Sequence, residues 1–237
     1  MPGKQDGWWN VVTRFSDLLA RMRRMYKTEA VTYLLAAGFW FMAGLLFKYQ
    51  AFYLIEHTLE QTRHLDEKDF LPRTDHFEWK VVATNEEADA LEANGFEFRS
   101  YAYFFNARKA LDKGAIASCI FIGRELAHIG WLAMTQEAKN SLNEPPIRVD
   151  FSKKESYSGG VWTNPKYRKL GLHTYGNLKR NLFLADTGAT RMYGQIARRN
   201  TASLRVTTKF NPAVYGEGRL IKVLWWKWWR ERALTKT

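Results

Sequence analysis

The sequence has very little cysteine: Cys119 is the single one in 237 residues. One cysteine excludes a disulfide within the chain and is compatible with a reducing compartment. Because Cys119 lies in the apolar run 115–122, we expect a buried, inert thiol rather than a nucleophile. Residues at the spacing of metal ligands are also scarce. His57, Glu60 and His64 would share one face of a helix, but a solvated helix face explains the same pattern.

The sequence also lacks an internal repeat, a secretory signal and a nucleic-acid recognition motif. Acidic and basic residues interrupt the first apolar stretch, and no small-residue cleavage site follows it. Hydrophobic residues make up 46% of the chain, so disorder does not describe the chain as a whole. The length allows one large domain or a medium domain with an appendage.

Basic charge and tryptophan are abundant, and both are concentrated at the two ends. The formal net charge is +12, and residues 1–28 and 219–237 carry most of it together with six of the ten tryptophans. This mixture is typical of proteins that bind an anionic membrane surface or nucleic acid. Since hydrophobic segments rather than a reading motif flank these ends, we expect the membrane and do not favour nucleic acid.

The N-terminal region, residues 1–60, is predicted to be helical and membrane-associated. Residues 8–26 repeat apolar side chains at three- and four-residue spacing, with basic residues between them, which indicates an interfacial amphipathic helix. Residues 30–47 carry no charge and would span about 27 Å as a helix, the short end for crossing a bilayer. The two interpretations are a membrane hairpin that returns through residues 48–59, and a helix pair buried in a soluble protein or dimer.

Residues 61–75 are polar, contain Pro72 and predict a linker, after which the pattern becomes α/β. The predicted elements are a strand at 78–84, a helix at 85–94, paired strands at 115–123 and 125–135, strands at 147–151, 155–163 and 191–197, helices from 172 and from 200, and a last strand or two within 213–224. The Trp/Lys/Arg-rich tail, 225–237, is predicted to make a second membrane contact through 225–232. Packing against the last strands is the alternative.

A predicted anion site lies in the middle of this domain. The strand ends at Asn164-Pro165, a pair that favours a turn, and the basic residues Arg168 and Lys169 follow. After Gly171 a helix begins at Leu172. The free backbone N–H groups and the positive dipole end of such a helix favour an anion, and the two cations add full charges.

Two motifs here resemble those of the GNAT superfamily of acyl-CoA-dependent N-acyltransferases. The first is similar to the family's pyrophosphate loop and consists of Val161, Pro165, Arg168, Lys169, Leu170, Gly171, Leu172 and His173. The second is similar to the family's second helix and consists of Asn200, Ser203, Lys209 and Phe210. Both stand in the family's order and at about its separation, and the resemblance covers about residues 76–224.

The resemblance implies an α/β (α+β) fold, with a mixed, mostly antiparallel sheet and flanking helices. It implies acetyl-CoA or another acyl-CoA as co-substrate, no metal, and direct attack by an amine on the thioester. Backbone groups of Leu170 to His173, helped by Arg168 and Lys169, would bind the pyrophosphate. Gly160, Val161, Trp162 and Asn200 would contact the pantetheine arm. Glu155 matches a position where many members carry a carboxylate base, although a surface ion pair with Lys153 or Lys154 is the alternative.

The chain departs from the family pattern at two site positions. Thr207 stands where many members have a tyrosine acid. It would order a water instead, or solvent would protonate the leaving thiolate. His173 stands where a small residue is usual, either as an added cation or as an ordinary helix-start residue. We therefore predict an N-acyltransferase on the cytoplasmic face of a membrane, monotopic or re-entrant, with an amine-bearing acceptor. A soluble cytoplasmic protein and a non-catalytic membrane scaffold with the same fold are the alternatives. A homo-oligomer or a membrane-protein partner is a further expectation.

Overall fold

The computed structural model describes residues 47–98, 107–142 and 145–234. The amphipathic segment 8–26 and nearly all of the apolar segment 30–47 lie outside the described residues. By its internal contacts, the described chain divides into a larger unit, 51–218 with 231–234, and a smaller one, 47–50 with 219–230. No helix in the described ranges is long and apolar enough to cross a membrane.

In these ranges the strands form one eight-stranded sheet in the order β2-β3-β4-β5-β6-β1-β7-β8. The strands are β1 Phe47–Thr58, β2 Glu78–Val82, β3 Ile116–Ile122, β4 Glu125–Ala133, β5 Glu155–Thr163, β6 Arg191–Ala197, β7 Ala213–Val223 and β8 Trp226–Ala233. The pairs β2–β3, β3–β4, β4–β5 and β1–β6 are antiparallel, and β5–β6 is parallel. The predicted mixed, mostly antiparallel sheet is confirmed.

Helices flank this sheet. They are α1 Asn85–Ala93, α2 Ala107–Asp112, α3 Gln136–Ser141, α4 Leu172–Asp186 and α5 Thr201–Thr208, with 3-10 turns at 59–64, 67–70, 151–153 and 165–167. Helix α1 begins as predicted, because Thr84 and Glu87 form a reciprocal capping box. Helix α4 packs on β3 and β4, where Leu184 meets Leu132 in the apolar core. Cys119 lies on β3 and is fully buried, and burial raises the pKa of its thiol.

The structure corrects the prediction that residues 48–59 return as a helical arm. They belong to β1, which pairs with β6 from Phe52 opposite Ala197 to Thr58 opposite Arg191. Phe52, Leu54 and Ile55 are all buried, so the strand is covered on both faces. Such a strand shows no alternation of apolar and polar residues that would separate it from a helix.

Three further segments differ from the sequence-based expectation. The predicted linker contains two 3-10 turns that pack on α4, where the Tyr175 hydroxyl donates to Glu67 at 2.7 Å. The predicted tail contains strand β8, since alternating tryptophan and charge also suits an edge strand. Residues 147–151 form no strand, because the Asp150 side chain caps a turn at Phe151–Lys153.

Candidate functional site

The parallel pairing of β5 with β6 is short, and a gap opens where it ends. Glu155, Ser156 and Tyr157 pair with Arg191, Met192 and Tyr193, and no further pair follows. Beyond this point β5 stays with β4 and β6 stays with β1. The two strand edges then face a cavity of about 790 Å³, which Ser158 to Thr163 line on one side and Gly194 to Ala197 on the other.

A bulge in β5 accounts for this divergence. Trp131 pairs with Gly159 and Ile129 with Trp162, so two residues of β5, Gly160 and Val161, oppose one residue of β4. Gly160 has a φ of 58°, which few residues other than glycine adopt. A bulge bends its strand and increases the local twist. We therefore attribute the gap to this bulge.

The loop at one end of the cavity is held by a set of hydrogen bonds to Glu125. The side chains of Asn164, Lys166 and Tyr167 all donate to this carboxylate. The Asn164 backbone N–H also donates to the carbonyl of Ala127 at 2.9 Å. These contacts fix the path of the chain from β5 towards α4.

The start of α4 opens onto the cavity. Gly171 occupies its N-cap position with a φ of 86° and offers no side-chain cap. Gly171 to Thr174 line the cavity, together with Arg168 and Lys169, whose side chains are exposed. Lys169 has a φ of 69°, an uncommon conformation for a lysine. Uncapped backbone N–H groups, the helix dipole and two cations suit an anion at this end.

The structure brings all the predicted site residues to the cavity except Glu155 and Leu170. The lining includes Gly160, Val161, Trp162, Arg168, Lys169, Gly171, Leu172, His173, Asn200 and Thr207. The Leu170 side chain packs instead against the core that contains Ile120 and Leu172. Its carbonyl accepts from the Arg73 backbone N–H at 2.8 Å. Glu155 accepts from the Asp150 backbone N–H at 2.7 Å and from the Tyr193 hydroxyl at 3.3 Å.

Helix α5 forms the opposite side of the cavity. Asn200 caps it by accepting from the Ser203 backbone N–H at 3.0 Å, as the sequence predicts. Ala202 lies in the first turn, is exposed and lines the cavity. Thr207 lies in the last turn and is 4% exposed. The helix therefore borders the cavity from its first turn to its last.

Three histidines lie near a buried cation, Arg180, beside the cavity. Burial, together with the positive charge of Arg180, lowers the pKa of His57 to about 4 and that of His173 to about 4. Both histidines line the cavity and are neutral at pH 7. The pKa of His128 lies well below its usual value, first because the ring is fully buried and then because Arg180 and His173 are close.

Some cavity residues were missed at the sequence level. His57 and Phe52 were assigned to a helical arm, and only the pairing of β1 with β6 places them here. Asn177 and Arg180 lie on α4 beyond the predicted loop, and an arginine within a helix usually predicts an exposed position. The described residues contain no group of His, Cys, Asp and Glu that could hold a metal ion.

The strand order, the gap between β5 and β6, and the helix that begins beside it define a GNAT-like fold. The sequence matches no family model and none of the curated proteins. Among solved structures, a GCN5-related N-acetyltransferase-like protein from Streptococcus suis is 16% identical with a TM-score of 0.46, over 79% of this chain and 64% of that one. A GCN5-related glucosamine N-acetyltransferase region of a fungal multi-domain GH3 β-N-acetylglucosaminidase is 13% identical with a TM-score of 0.49, over 81% of this chain and 23% of that one.

A Drosophila protein is 12% identical with a TM-score of 0.47, over 75% of this chain. The match covers 52% of that protein, so this chain spans about half its length. At these identities the likeness concerns the fold alone.

Proposed function

We propose that this chain is an acyl-CoA-dependent N-acyltransferase that transfers an acyl group to a primary amine. Acetyl is the acyl group that we favour. The gap beyond Tyr157 and Tyr193 carries the proposal, because it exposes two strand edges beside an uncapped helix start. A pantetheine arm carries amide groups, which suit such edges. A diphosphate suits the free N–H groups and cations of the loop.

The residues present fit this co-substrate. Gly171 leaves room at the mouth, since a Cβ added there would meet nothing closer than the Pro72 Cα at 3.6 Å. Buried Arg180 has no carboxylate partner among the described residues, so the neighbourhood of the cavity carries a positive charge that an anionic ligand would balance. The donors and the charge both favour a ligand rich in acceptor oxygens.

The chain is proposed to bind acyl-CoA, to orient it beside the acceptor amine, and to allow the amine to lose one proton. The backbone from Leu170 to His173 would hold the diphosphate, with Arg168 and Lys169 adding charge. The edge formed by Gly160, Val161 and Trp162 would hold the arm extended. When bound, acyl-CoA supplies an activated thioester carbon. Holding it at a fixed place beside the acceptor amine would account for much of the rate.

For the attacking amine, we propose His57 as a hydrogen-bond acceptor that orients it, because a ring with a pKa of about 4 is too weak a base to hold its proton. His57 is neutral at pH 7 and lines the cavity, and its ring lies 6.3 Å from that of Phe210 just beyond the end of α5. Glu155 is not a lining residue, and its role as a base stays a prediction. Thr207 lines the cavity and would order a water.

Thiol release measured with acetyl-CoA and a library of primary amines tests the activity. We expect CoA release that depends on both the amine and the enzyme, and none with Gly171→Trp. Binding of CoA without release for any amine would favour the non-catalytic scaffold instead. The predicted use of no metal would be contradicted by activity that a chelator abolishes and a metal restores.

We further propose that the enzyme is held at the cytoplasmic face of an anionic membrane. Two features support this location: the amphipathic pattern of residues 8–26, and exposed aromatics in the smaller unit. Trp225, Trp226 and Trp228 are 78%, 71% and 51% exposed. The adjacent Lys227 and Arg230 add positive charge. Tryptophan favours the headgroup region, and lysine and arginine attract anionic lipid.

A further inference from the structure

Helix α4 carries a buried cation whose exact placement the proposed function does not explain. Arg180 is 1% exposed, and no carboxylate pairs with it in the described part of the chain. Its Nη1 lies 3.2 Å from His128 Nε2, and its Nη2 donates to Asn177 Oδ1. Its Nε has no hydrogen-bond partner within the described ranges. Removing a charge from water without an opposite charge is costly. Its presence therefore needs an explanation beyond packing.

Two glycines make room for this guanidinium. A Cβ at Gly130 would overlap the Arg180 guanidinium, and a Cβ at Gly176 would lie 2.6 Å from His128 Nε2. Gly130 lies on β4 and Gly176 on α4, so the sheet and the helix both yield space to the pair. The contact surface between α4 and the sheet is therefore shaped to hold the Arg180–His128 pair.

The first hydrogen-bond chain runs from Arg180 through His128 to Thr163. A guanidinium has donors and no acceptor, so His128 Nε2 must accept and its proton must lie on Nδ1. His128 Nδ1 lies 2.8 Å from Thr163 Oγ1 and donates to it. The hydroxyl hydrogen of Thr163 is then available to another acceptor. Thr163 lines the cavity.

The second chain runs from Arg180 to Asn177. Since Nη2 can only donate, it must meet the amide oxygen of Asn177, which fixes the orientation of the amide. The Asn177 nitrogen therefore keeps its two hydrogens for other partners. Asn177 is 9% exposed and lines the cavity. Both chains thus begin at one cation and end in hydrogen donors at the cavity wall.

We propose that Arg180 is a positioning residue that sets the hydrogens of Thr163 and Asn177 to bind an acceptor oxygen of the cofactor, either a pantetheine carbonyl or a diphosphate oxygen. The proposal rests on acyl-CoA binding in the cavity, the proposed function. Arg180 acts through its two neighbours and does not itself touch the ligand. The positive charge polarises both chains, so each donor is stronger than in an isolated side chain.

The test compares the full-length protein with Arg180→Met, and uses Asn181→Leu as a matched control. Asn181 is equally buried on the same helix, its side-chain atoms have no partner among the described residues, and it does not line the cavity. Replacing buried ionic groups with apolar side chains is often neutral or stabilising when no opposite charge is left unpaired, and Arg180 has no carboxylate partner among the described residues. A thermal melt should therefore show that Arg180→Met stays folded, and Thr163→Val offers a second variant that leaves the cation in place.

Titration calorimetry with CoA and with ADP gives the binding result. We expect Arg180→Met to weaken CoA binding by about tenfold or more, Thr163→Val to weaken it less, and Asn181→Leu to leave it unchanged. If Arg180→Met loses as much affinity for ADP as for CoA, the acceptor oxygen belongs to the diphosphate. If it loses affinity for CoA alone, the acceptor oxygen belongs to the pantetheine arm. CoA affinity unchanged in Arg180→Met and Thr163→Val would overturn the inference.

Side-chain ¹⁵N spectra of His128 give a second result that needs no ligand. We expect the Nδ1–H tautomer at pH 7 in the wild type and its loss as the dominant form in Arg180→Met, with the signal assigned by its absence from His128→Gln. An Nε2–H tautomer in the wild type would overturn the inference by itself. If the wild type binds no CoA, both the proposed function and the ligand role of Arg180 are wrong. The tautomer result would still test the hydrogen-bond chain from Arg180 to Thr163.

Discussion

Tyr157 and Tyr193 form the last residue pair that joins β5 to β6, and the candidate site begins where this pair ends. The Tyr157 hydroxyl lies 2.9 Å from the Gln195 side-chain nitrogen, which donates to it across the start of the gap. The strands are thus held together at one end and separated at the other. This geometry exposes the strand edges that line the cavity, Ser158 to Thr163 on β5 and Gly194 to Ala197 on β6.

Replacing Gly171 with tryptophan should abolish CoA binding while the protein stays folded. The side chain would stand at the helix start, where the free N–H groups face the cavity. Gly188→Trp is the control, because Gly188 has a similar φ of 85° against 86° but lies at the other end of α4 with open space around it. Calorimetry with CoA measures the effect. Equal affinity in the two variants would refute the loop assignment.

Replacing His57 should lower turnover more than replacing Glu155. We expect His57→Gln to reduce kcat at least about tenfold with a small change in KM, because orienting the amine acts on the chemical step. Glu155→Gln should stay within about threefold, since its carboxylate is held by Asp150 and Tyr193. Steady-state kinetics with one active amine decides between them. The reverse order would support Glu155 as the base and contradict the role of His57.

Acid should destabilise the protein through its buried histidines. The folded-state pKa of His57 and that of His173 are about 4, below the usual 6.5. Between these values the unfolded chain binds more protons, so this stability is complete above pH 6.5 and is lost as pH falls towards 4. In Arg180→Met both pKa values should rise, since the repelling cation is gone.

Urea unfolding at pH 7 and pH 4.5 measures this effect. We expect the unfolding free energy to fall less between pH 7 and pH 4.5 in Arg180→Met than in the wild type. The contribution of the carboxylates is common to both proteins and cancels in this comparison. An equal loss in the two proteins would mean that Arg180 does not influence these histidines.

The sequence predicts the part of the site that is local in the chain. The strand, the Asn164-Pro165 turn and the helix from Leu172 follow from patterns within a few residues of one another, and the structure has them. Strand β1 could not be predicted, because it is covered on both faces and its partner β6 lies far along the chain. The buried role of Arg180 was equally hidden, since it depends on two glycines on separate elements that make room for it and for His128.

The membrane proposal predicts binding to anionic vesicles through two segments. Because β1 begins at Phe47, a deletion that tests the N-terminal segment must stop at residue 46. We expect that deletion, and serine at Trp225, Trp226 and Trp228 together, each to reduce co-sedimentation, and salt to weaken what remains. Vesicles of zwitterionic lipid are the control. Undiminished binding in a protein with both changes would place the anchor elsewhere.

The gap itself is tested most directly by filling it. Ala202 lines the cavity and Thr201, its exposed neighbour in the first turn of α5, does not. Calorimetry with CoA should show saturable binding, with one site per chain, for the wild type and for Thr201→Trp. Ala202→Trp should bind at least about tenfold more weakly. No binding by the wild type, or equal affinity in the two tryptophan variants, would contradict the proposal that CoA occupies this cavity.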